Sequence, residues 1–265
     1  MAVYHFHVTQ ISRGKGQTAV SAAAYRAGEK LRDNYYGEEP DYTKKGGVLY
    51  TEIILPEHAP KDYADRETLW NAVELAEANG RAQLAYSFDF ALPNELSDEE
   101  NLELVRKFIL ENFTSKGMIS DMAIHKPAKS LGDIPNPHVH VLVPMRPLKE
   151  DGTWGNKQRR EYILDENGER IKGTDGKYLF NAVKTTDWSA PETLEQWRAN
   201  WAKAVNDALE KKDFPNGLTI VPTQSRGLMH YRLFMRERRF VLWRNAASVQ
   251  KKENGTAILN PSIGL

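Results

Sequence analysis

The sequence predicts an α+β protein with a central, mainly antiparallel five-stranded sheet and helices packed on one face of that sheet. Segments in which apolar and polar residues alternate are separated by segments whose apolar residues recur at helical spacing, in the order β-α-β-α-β-α-β-β-α. The last two strands are joined by one loop that contains Gly132, Pro135 and Pro137, which indicates an antiparallel hairpin.

The predicted strands have two distinct faces. Around residue 88, Phe88 and Phe90 point to one side, whereas Asp89 points to the other. In the last strand, His138 and His140 share a face. The five strands are expected at residues 2–9, 48–55, 83–92, 119–125 and 138–144.

Capping residues mark the helix starts. Thr18 is expected to cap the first helix, and Gly28 lies near its end. Ser97 and Glu100 form the capping-box pattern S-x-x-E before the third helix. The helices are expected at about residues 18–30, 65–79, 97–117 and 189–212.

The last helix and the segment before it have their own signals. Ser189 and Glu192 repeat the capping-box pattern at the start of the fourth helix. Between residues 149 and 182 the chain is polar and has Asp-Gly or Asn-Gly turns. We therefore expect short hairpins that project from the core there.

Composition narrows the class of protein. The chain has 265 residues, and its 36 Lys and Arg residues balance 36 Asp and Glu residues, so a polyanion must be held by a local basic patch or by a metal. The absence of cysteine excludes disulfides, thiolate zinc sites and thiol catalysis. No segment has the apolar length of a signal peptide or a membrane span, so we expect a cytoplasmic protein without membrane insertion.

Three histidines form a candidate metal site. His138 and His140 lie two residues apart in one strand and therefore point the same way, and His125 joins them if the last two strands pair antiparallel. Imidazole ligands favour manganese, nickel, cobalt or zinc, and availability in the cell favours manganese or magnesium. The alternative is that these histidines are structural. His5 is expected to support a ligand indirectly, with a structural role as its alternative.

Tyr25 is the candidate nucleophile. It lies in the small-residue helix SAAAYRAG, where bulky neighbours do not crowd it and where cations are near enough to favour its anion. An open metal site and a phenol together indicate phosphodiester cleavage with a covalent intermediate. The alternatives are an ordinary tyrosine at the rim of the core, or a nucleophile among Tyr35, Tyr36 and Tyr42.

Several motifs occur together in one order: YHF, SAAAYRAGE, YTEIILP, QLAYSFDFALP, GMISDMAIHKP and NPHVHVL. In this the chain resembles the MobA/MobL family of plasmid mobilisation relaxases, which belong to the HUH endonucleases. The resemblance covers about residues 1–215, which we treat as a relaxase domain over residues 1–217. It implies an HUH-type fold in which the antiparallel sheet carries the metal histidines.

The resemblance also implies an activity and its partners. The activity is site- and strand-specific nicking and rejoining of DNA at an origin of transfer, for conjugative mobilisation. Tyr25 matches the residue that forms a 5′-phosphotyrosine bond, and His125, His138 and His140 match the ligands of a divalent metal. The implied partners are single-stranded or hairpin origin DNA, accessory mobilisation proteins and a type IV coupling protein. The alternatives are a rolling-circle initiator, a transposase or an inactive origin-binding protein.

The chain departs from the family at two places. Asp89 stands where many relatives carry glutamate, and it is expected either to accept the proton of Tyr25 or to support a histidine ligand. Residues 218–265 form a basic and aromatic tail that lacks the family motifs, and a frame offset near residue 218 or disorder is our hypothesis for it. Candidate DNA contacts are Arg13, Lys15, Arg26, Lys44, Lys45, Lys157, Arg159 and Arg160.

Overall fold

The computed structural model describes residues 5–127 and 136–212, together with the backbone of residues 218–225 and 228–235. Five strands form the main sheet: β1 (Phe6–Ser12), β2 (Val48–Ile54), β3 (Gln83–Ala91), β4 (Ser120–His125) and β5 (His138–Pro144). Their order across the sheet is β1-β3-β5-β4-β2, and every neighbouring pair is antiparallel. The predicted fold class and the five-stranded antiparallel sheet are therefore confirmed.

One face of the sheet carries the larger core. Phe88, Val141 and Met122 lie opposite one another on β3, β5 and β4, so their side chains share a face. Against them pack α3 (Asp98–Asn112) and α4 (Pro191–Glu210), whose Phe108, Trp197 and Trp201 are fully buried. This core is built largely from aromatic rings, which bury much area per side chain.

The second face is covered as well, which corrects the expectation that the helices lie on one face. There α1 (Ala19–Ala27) and α2 (Arg66–Leu75) pack over one end of the sheet, against buried residues that include Ala85 and Leu142. The sequence pattern missed this layer because α1 is built largely from alanines, which give only a weak apolar pattern. Their small side chains nevertheless let the helix pack closely on the sheet. The other end of this face carries His138 and His140.

The ends of α1 and α3 follow the predicted caps. The Thr18 side chain accepts a hydrogen bond from the Ser21 amide, and Gly28 ends α1 with a φ of 68°. Ser97 and Glu100 form the full capping box at the start of α3. The prediction of a second capping box at Ser189 was wrong. The helix α4 begins after Ala190 without a side-chain cap, and the Ser189 hydroxyl accepts a hydrogen bond from Lys184.

The segment between β5 and α4 forms the predicted projecting hairpin. Its stem is β6 (Gln158–Tyr162) paired with β7 (Phe180–Lys184), and beyond the stem isolated bridges close two further short turns, Leu164 with Arg170 and Lys172 with Tyr178. We call residues 158–184 the arm. Most of its side chains are exposed, including those of Tyr178 and Phe180.

After α4 the described backbone forms one further antiparallel pair, β8 (Leu218–Ser225) and β9 (Leu228–Met235). Residues 236–265, most of the predicted tail, lie outside the described residues. The boundary at residue 217 and the frame-offset hypothesis stay predictions. In the described part of the chain, no helix is both long and apolar enough to cross a membrane.

A buried ion-pair network ties the second helical layer to the sheet. Arg66 of α2 donates two bonds to the Asp121 carboxylate of β4 and a third to Glu29, just beyond the end of α1. The Trp70 indole N–H donates to the same Asp121 carboxylate at 2.8 Å. Asp121 and Arg66 are both nearly inaccessible to solvent, so the buried charge of each must be compensated by the other.

Replacing Asp121 with alanine is expected to lower the free energy of unfolding by about 3–5 kcal/mol, because it removes the buried carboxylate of the pair and leaves Arg66 only the more exposed Glu29. Urea denaturation measures this loss. The matched control is Asp207→Ala, which removes an exposed pair with Lys203 and should cost at most about 0.5 kcal/mol. Equal losses in the two variants would contradict a central role for the network.

Candidate metal and nucleophile site

The sheet brings the three histidines together as predicted. In the register of β4 and β5, His125 lies directly opposite His138, and His140 lies opposite Ala123. The ring centroids are 5.4 Å apart for His125 and His138, 4.6 Å for His125 and His140, and 4.8 Å for His138 and His140. One nitrogen from each ring lies within 4.8 Å of the others.

Each imidazole has one nitrogen held by a hydrogen bond. His125 Nε2 donates to the carbonyl of Arg26 at 2.6 Å, and His138 Nδ1 donates to the carbonyl of Asn136 at 2.8 Å. His140 Nδ1 bonds the carboxylate of Asp89. In a neutral ring the other nitrogen then carries the lone pair. Nδ1 of His125 and Nε2 of His138 and His140 are therefore available to one metal, and this donor set fits a divalent ion.

The protonation of the site also suits a metal. Burial lowers the pKa of His125 from its ordinary 6.5 to about 4, and burial also lowers that of His138. Burial of Asp89 opposes its ionisation, but the hydrogen bond and charge of His140 and the nearby charge of Arg26 outweigh this, so its pKa is lowered. At neutral pH the site therefore offers neutral His125 and His138 imidazoles and the Asp89 carboxylate, forms that suit metal binding.

The buried His125 is expected to make stability depend on pH. Because its pKa is about 4 in the folded chain and near 6.5 when unfolded, the unfolded state takes up a proton first as the pH falls. The contribution is present above about pH 6.5 and is lost toward about pH 4, a change of up to about 3 kcal/mol. Urea unfolding across this range, in the presence of a chelator, measures it. His125→Asn should flatten the dependence, and an unchanged slope would contradict the assignment.

The helix that carries Tyr25 contacts one of the imidazoles through its backbone. It occupies the last turn of α1, and the carbonyl of the next residue, Arg26, accepts the bond from His125. The Tyr25 side chain is 49% exposed, so a substrate can reach its hydroxyl. Its ring packs edge-on against Tyr42 at 5.2 Å, and the Lys45 ammonium lies 3.7 Å from its centroid.

The competing tyrosines have other surroundings. The Tyr42 hydroxyl lies 3.4 Å from that of Ser21, so it is partnered on α1. Tyr35 packs on Tyr36 and on the guanidinium of Arg13, at the far end of the loop that follows α1. The arrangement therefore favours Tyr25 as the tyrosine that adjoins the imidazoles.

Two predicted DNA contacts need correction. Arg13 is buried, and its guanidinium bonds the Glu74 carboxylate at 2.6 Å and the carbonyls of Glu77 and Asn79. A glycine-rich basic loop suggested exposure, but the sequence could not show that a carboxylate of α2 would bury this cation. Arg26 is half-buried and donates to the Ser87 hydroxyl at 2.7 Å, so its charge is directed toward the sheet.

The other candidate cations lie nearer the surface. Lys15 is exposed. Lys157 pairs with Glu77 at 2.7 Å and so fastens the base of the arm to the end of α2. Arg159 pairs with Glu161 on the exposed stem of the arm, and the Arg160 guanidinium lies 4.6 Å from the ring of Phe180.

His5 and Asp89 are the two sequence candidates for supporting a histidine ligand. His5 stacks on His7 at 5.9 Å, and its charge contributes to lowering the pKa of Asp89. Asp89 lies opposite His140 in the sheet and bonds its Nδ1. This contact favours a role for Asp89 in supporting a histidine ligand over one as proton acceptor for Tyr25.

Sequence reasoning missed the residues that hold α1 in place. Glu74 of α2 accepts from the Ala19 amide at 2.6 Å and also pairs with Arg13. Arg66 joins Glu29 to Asp121, four residues before His125. The one available sign of this network in the sequence was Asp121, an aspartate on the histidine-bearing face of β4 for which the sequence offered no obvious partner.

The chain was compared with known proteins and solved structures. The sequence model of the MobA/MobL family matches residues 17–229. The probable mobilization protein MobA of Bifidobacterium longum is 34% identical over 226 residues, which are 80% of this chain and 39% of that protein. The conjugal transfer protein TraA of Rhizobium radiobacter is 35% identical over 221 residues, which are 79% of this chain and 19% of that protein. The chain thus spans less than two fifths of the length of these curated relatives.

A solved structure from work on the molecular basis of vancomycin resistance transfer in Staphylococcus aureus has a similar fold. It superposes with a TM-score of 0.66 at 32% identity, and the match covers 80% of this chain and 95% of that one. The family match covers most of the described residues, including the helix of Tyr25 and both histidine strands. The chain belongs to the MobA/MobL family.

Proposed function

We propose that this chain is a relaxase domain that nicks and rejoins one strand of DNA at an origin of transfer, for conjugative mobilisation. The observation that carries the proposal is the contact between His125, one of three converging imidazoles, and the carbonyl of Arg26, the residue that follows the exposed Tyr25. The family match and the relatives named for mobilisation and conjugal transfer support it.

The proposed reaction is a transesterification. The Tyr25 phenol oxygen attacks phosphorus and forms a phosphotyrosine bond, while the bond from phosphorus to the 3′-oxygen breaks. The phenol gives up its proton to solvent, and the leaving 3′-oxygen takes one up. Because one phosphoester bond replaces another, the reverse attack by the 3′-hydroxyl rejoins the strand. Exposure of the Tyr25 side chain allows both attacks.

His125, His138 and His140 would hold a divalent metal, and manganese or magnesium is the expected ion. When bound, such an ion supplies positive charge that polarises a phosphoryl oxygen. Asp89 would keep His140 oriented with Nε2 toward the ion, as the Arg26 and Asn136 carbonyls do for the other two rings.

DNA would also be held by cations outside the histidine cluster. Lys15 and the stem of the arm, with Arg159 and Arg160, supply exposed cations that suit phosphate contacts. The exposed aromatic rings of the arm suit stacking with unpaired bases. Origin DNA with a hairpin and a single-stranded segment is the proposed substrate, and accessory proteins, a type IV coupling protein and a cytoplasmic location remain part of the proposal.

An adduct assay tests this function. Labelled single-stranded oligonucleotides, tiled across both strands of the element that carries the gene, are incubated with the protein and manganese. We expect one oligonucleotide to give a protein–DNA adduct that survives denaturant, with a free 3′-hydroxyl on the released fragment. A set that covers the element and yields binding without any adduct would overturn the proposal in favour of an inactive origin-binding protein.

A further inference from the structure

The ammonium of Lys45 lies against the candidate nucleophile. Its Nζ is 3.7 Å from the centroid of the Tyr25 ring and donates a hydrogen bond to the Tyr25 carbonyl at 2.8 Å. A cation over the face of an aromatic ring is attracted to it and restricts its rotation. The two contacts together hold both the ring and the backbone of Tyr25.

This cation lacks a neutralising carboxylate among the described residues. Lys30, at the other end of the same loop, pairs with Glu39 at 2.7 Å, and Lys126 pairs with Asp98 at 2.7 Å. Lys45 is half-buried, and burial together with the charge of Arg26 lowers its pKa, with no carboxylate to raise it. A half-buried charge of this kind is costly unless an anion joins it.

The loop that carries Lys45 is docked at both ends. The Lys45 amide donates to the Tyr42 carbonyl at 2.9 Å, and the Tyr42 amide donates to the Glu29 carbonyl at 3.1 Å, at the end of α1. Two residues later, the Gly47 carbonyl accepts from the Lys126 amide at 2.8 Å, next to His125. The loop therefore bridges the tyrosine helix and the end of a histidine strand.

The loop brings Lys45 to the side of the site that His125 occupies, because Gly47 bonds the residue that follows His125. An anion that contacts Tyr25 and the imidazole cluster at once would therefore approach this ammonium too. Two of the three N–H bonds of the ammonium are not used by the Tyr25 carbonyl and can donate to such an anion.

We propose that Lys45 is a phosphate-binding residue of this site: its ammonium contacts the phosphodiester that Tyr25 attacks and holds the phenol ring for that attack. The inference rests on the proposed function for its substrate, a single-stranded DNA phosphodiester. Lys45 was among the sequence candidates for a general DNA contact; the geometry assigns it to the reacting phosphate.

Two variants test the role of the charge. Lys45→Met keeps most of the side-chain stem and removes the ammonium, whereas Lys45→Arg keeps a cation. The matched control is Lys30→Met, which removes a lysine of the same loop that is already paired with Glu39. Thermal unfolding of each variant checks that the fold is retained.

Binding is measured first, in a Tyr25→Phe background that retains the ring but cannot form an adduct. The probe is fluorescein-labelled oligothymidylate of about twelve nucleotides, with a chelator present. Lys45→Met should weaken binding about fivefold and reduce the slope of log K against log salt by about 0.7, the value for one phosphate of a single strand. Lys30→Met and Lys45→Arg should stay within about twofold of the parent. Equal effects of Lys45→Met and Lys30→Met would overturn the proposal.

The rate of adduct formation is measured second, with the oligonucleotide that reacts in the adduct assay. At saturating DNA, Lys45→Met should slow the reaction about thirtyfold or more, and Lys45→Arg should restore most of the rate. A Lys45→Met enzyme with the parent rate at saturation would show that Lys45 does not act on the reacting phosphate. If the parent forms no adduct, the proposed function fails, while the binding measurement still decides whether Lys45 contacts phosphate.

If Lys45→Met does not fold, lysine acetylation of the unsubstituted chain tests the same proposal. The unmodified chain is treated with an acetylating reagent with and without the oligothymidylate, and mass spectrometry compares Lys45 with Lys30. We expect DNA to protect Lys45 about fivefold more than Lys30, because a phosphate would cover its ammonium. Equal protection of the two lysines would contradict the proposal.

Discussion

Tyr25→Phe is expected to abolish the denaturant-resistant DNA adduct, with a loss of about 10⁴-fold or more in the rate of strand cleavage, because no other group at this position can form the phosphotyrosine bond. The substitution removes one oxygen from a side chain that is half exposed. The ring contacts with Tyr42 and Lys45 are retained. Gel electrophoresis of labelled oligonucleotide under denaturing conditions measures the adduct.

Two controls make this result specific. Tyr36→Phe removes the hydroxyl of another exposed tyrosine, in the loop that follows α1, and should leave the adduct within about twofold of the parent. DNA binding by Tyr25→Phe, followed by fluorescence anisotropy, should change by less than about threefold, because the phenol oxygen acts in the chemical step. An undiminished adduct in Tyr25→Phe would remove Tyr25 from its proposed role and reopen the choice among the tyrosines.

The double variant His138→Ala/His140→Ala is expected to lose metal-stimulated nicking by a factor on the order of 10³, because two of the three metal ligands disappear. Asp89→Asn should have a smaller effect of about 10–100-fold, since it weakens only the hydrogen bond that orients His140. Titration with manganese, followed by the loss of the free-ion paramagnetic resonance signal, measures metal binding independently of activity. One ion should bind the parent, and the double variant should bind none with comparable affinity.

The control for the histidines is His58→Ala. His58 lies near Gly117, which precedes the end of β4 opposite His125, so both nicking and metal binding should remain close to those of the parent. Hairpin DNA binding by the double variant should also be largely retained, because phosphate contacts elsewhere supply most of the affinity. Nicking by His138→Ala/His140→Ala at the parent rate with added manganese would contradict the metal assignment.

The strands and the histidine faces could be predicted because a strand places alternate residues on opposite sides. This rule placed His138 and His140 on one face and Phe88 and Phe90 on the other, and the register bears it out. The caps at Thr18 and Ser97 could be predicted for a similar reason, since each depends on residues within one helical turn. The cap at Ser189 failed because Lys184, just outside that turn, binds its hydroxyl.

The charged residues show the limit of sequence reasoning. Arg13, Arg26 and Lys45 are all basic residues near Tyr25, and all three were expected to bind DNA. In the folded chain Arg13 is buried against Glu74, Arg26 donates to the Ser87 hydroxyl, and Lys45 lies against the Tyr25 ring without a carboxylate partner among the described residues. Nothing in the local sequence predicts these different surroundings, because the partners of the two arginines, Glu74 and Ser87, are each 61 residues away in the chain.

By itself, then, the sequence predicted the strand faces, indicated the family and proposed Tyr25 as the nucleophile, because each depends on local periodicity or on a short motif. Only the tertiary structure decided that helices cover both faces of the sheet, that the Arg26 carbonyl joins the tyrosine helix to His125, and which cations remain free for a phosphate. The physical reason is that burial and ion pairing are set by contacts between distant segments, and these contacts form only when α1 and α2 pack on the sheet.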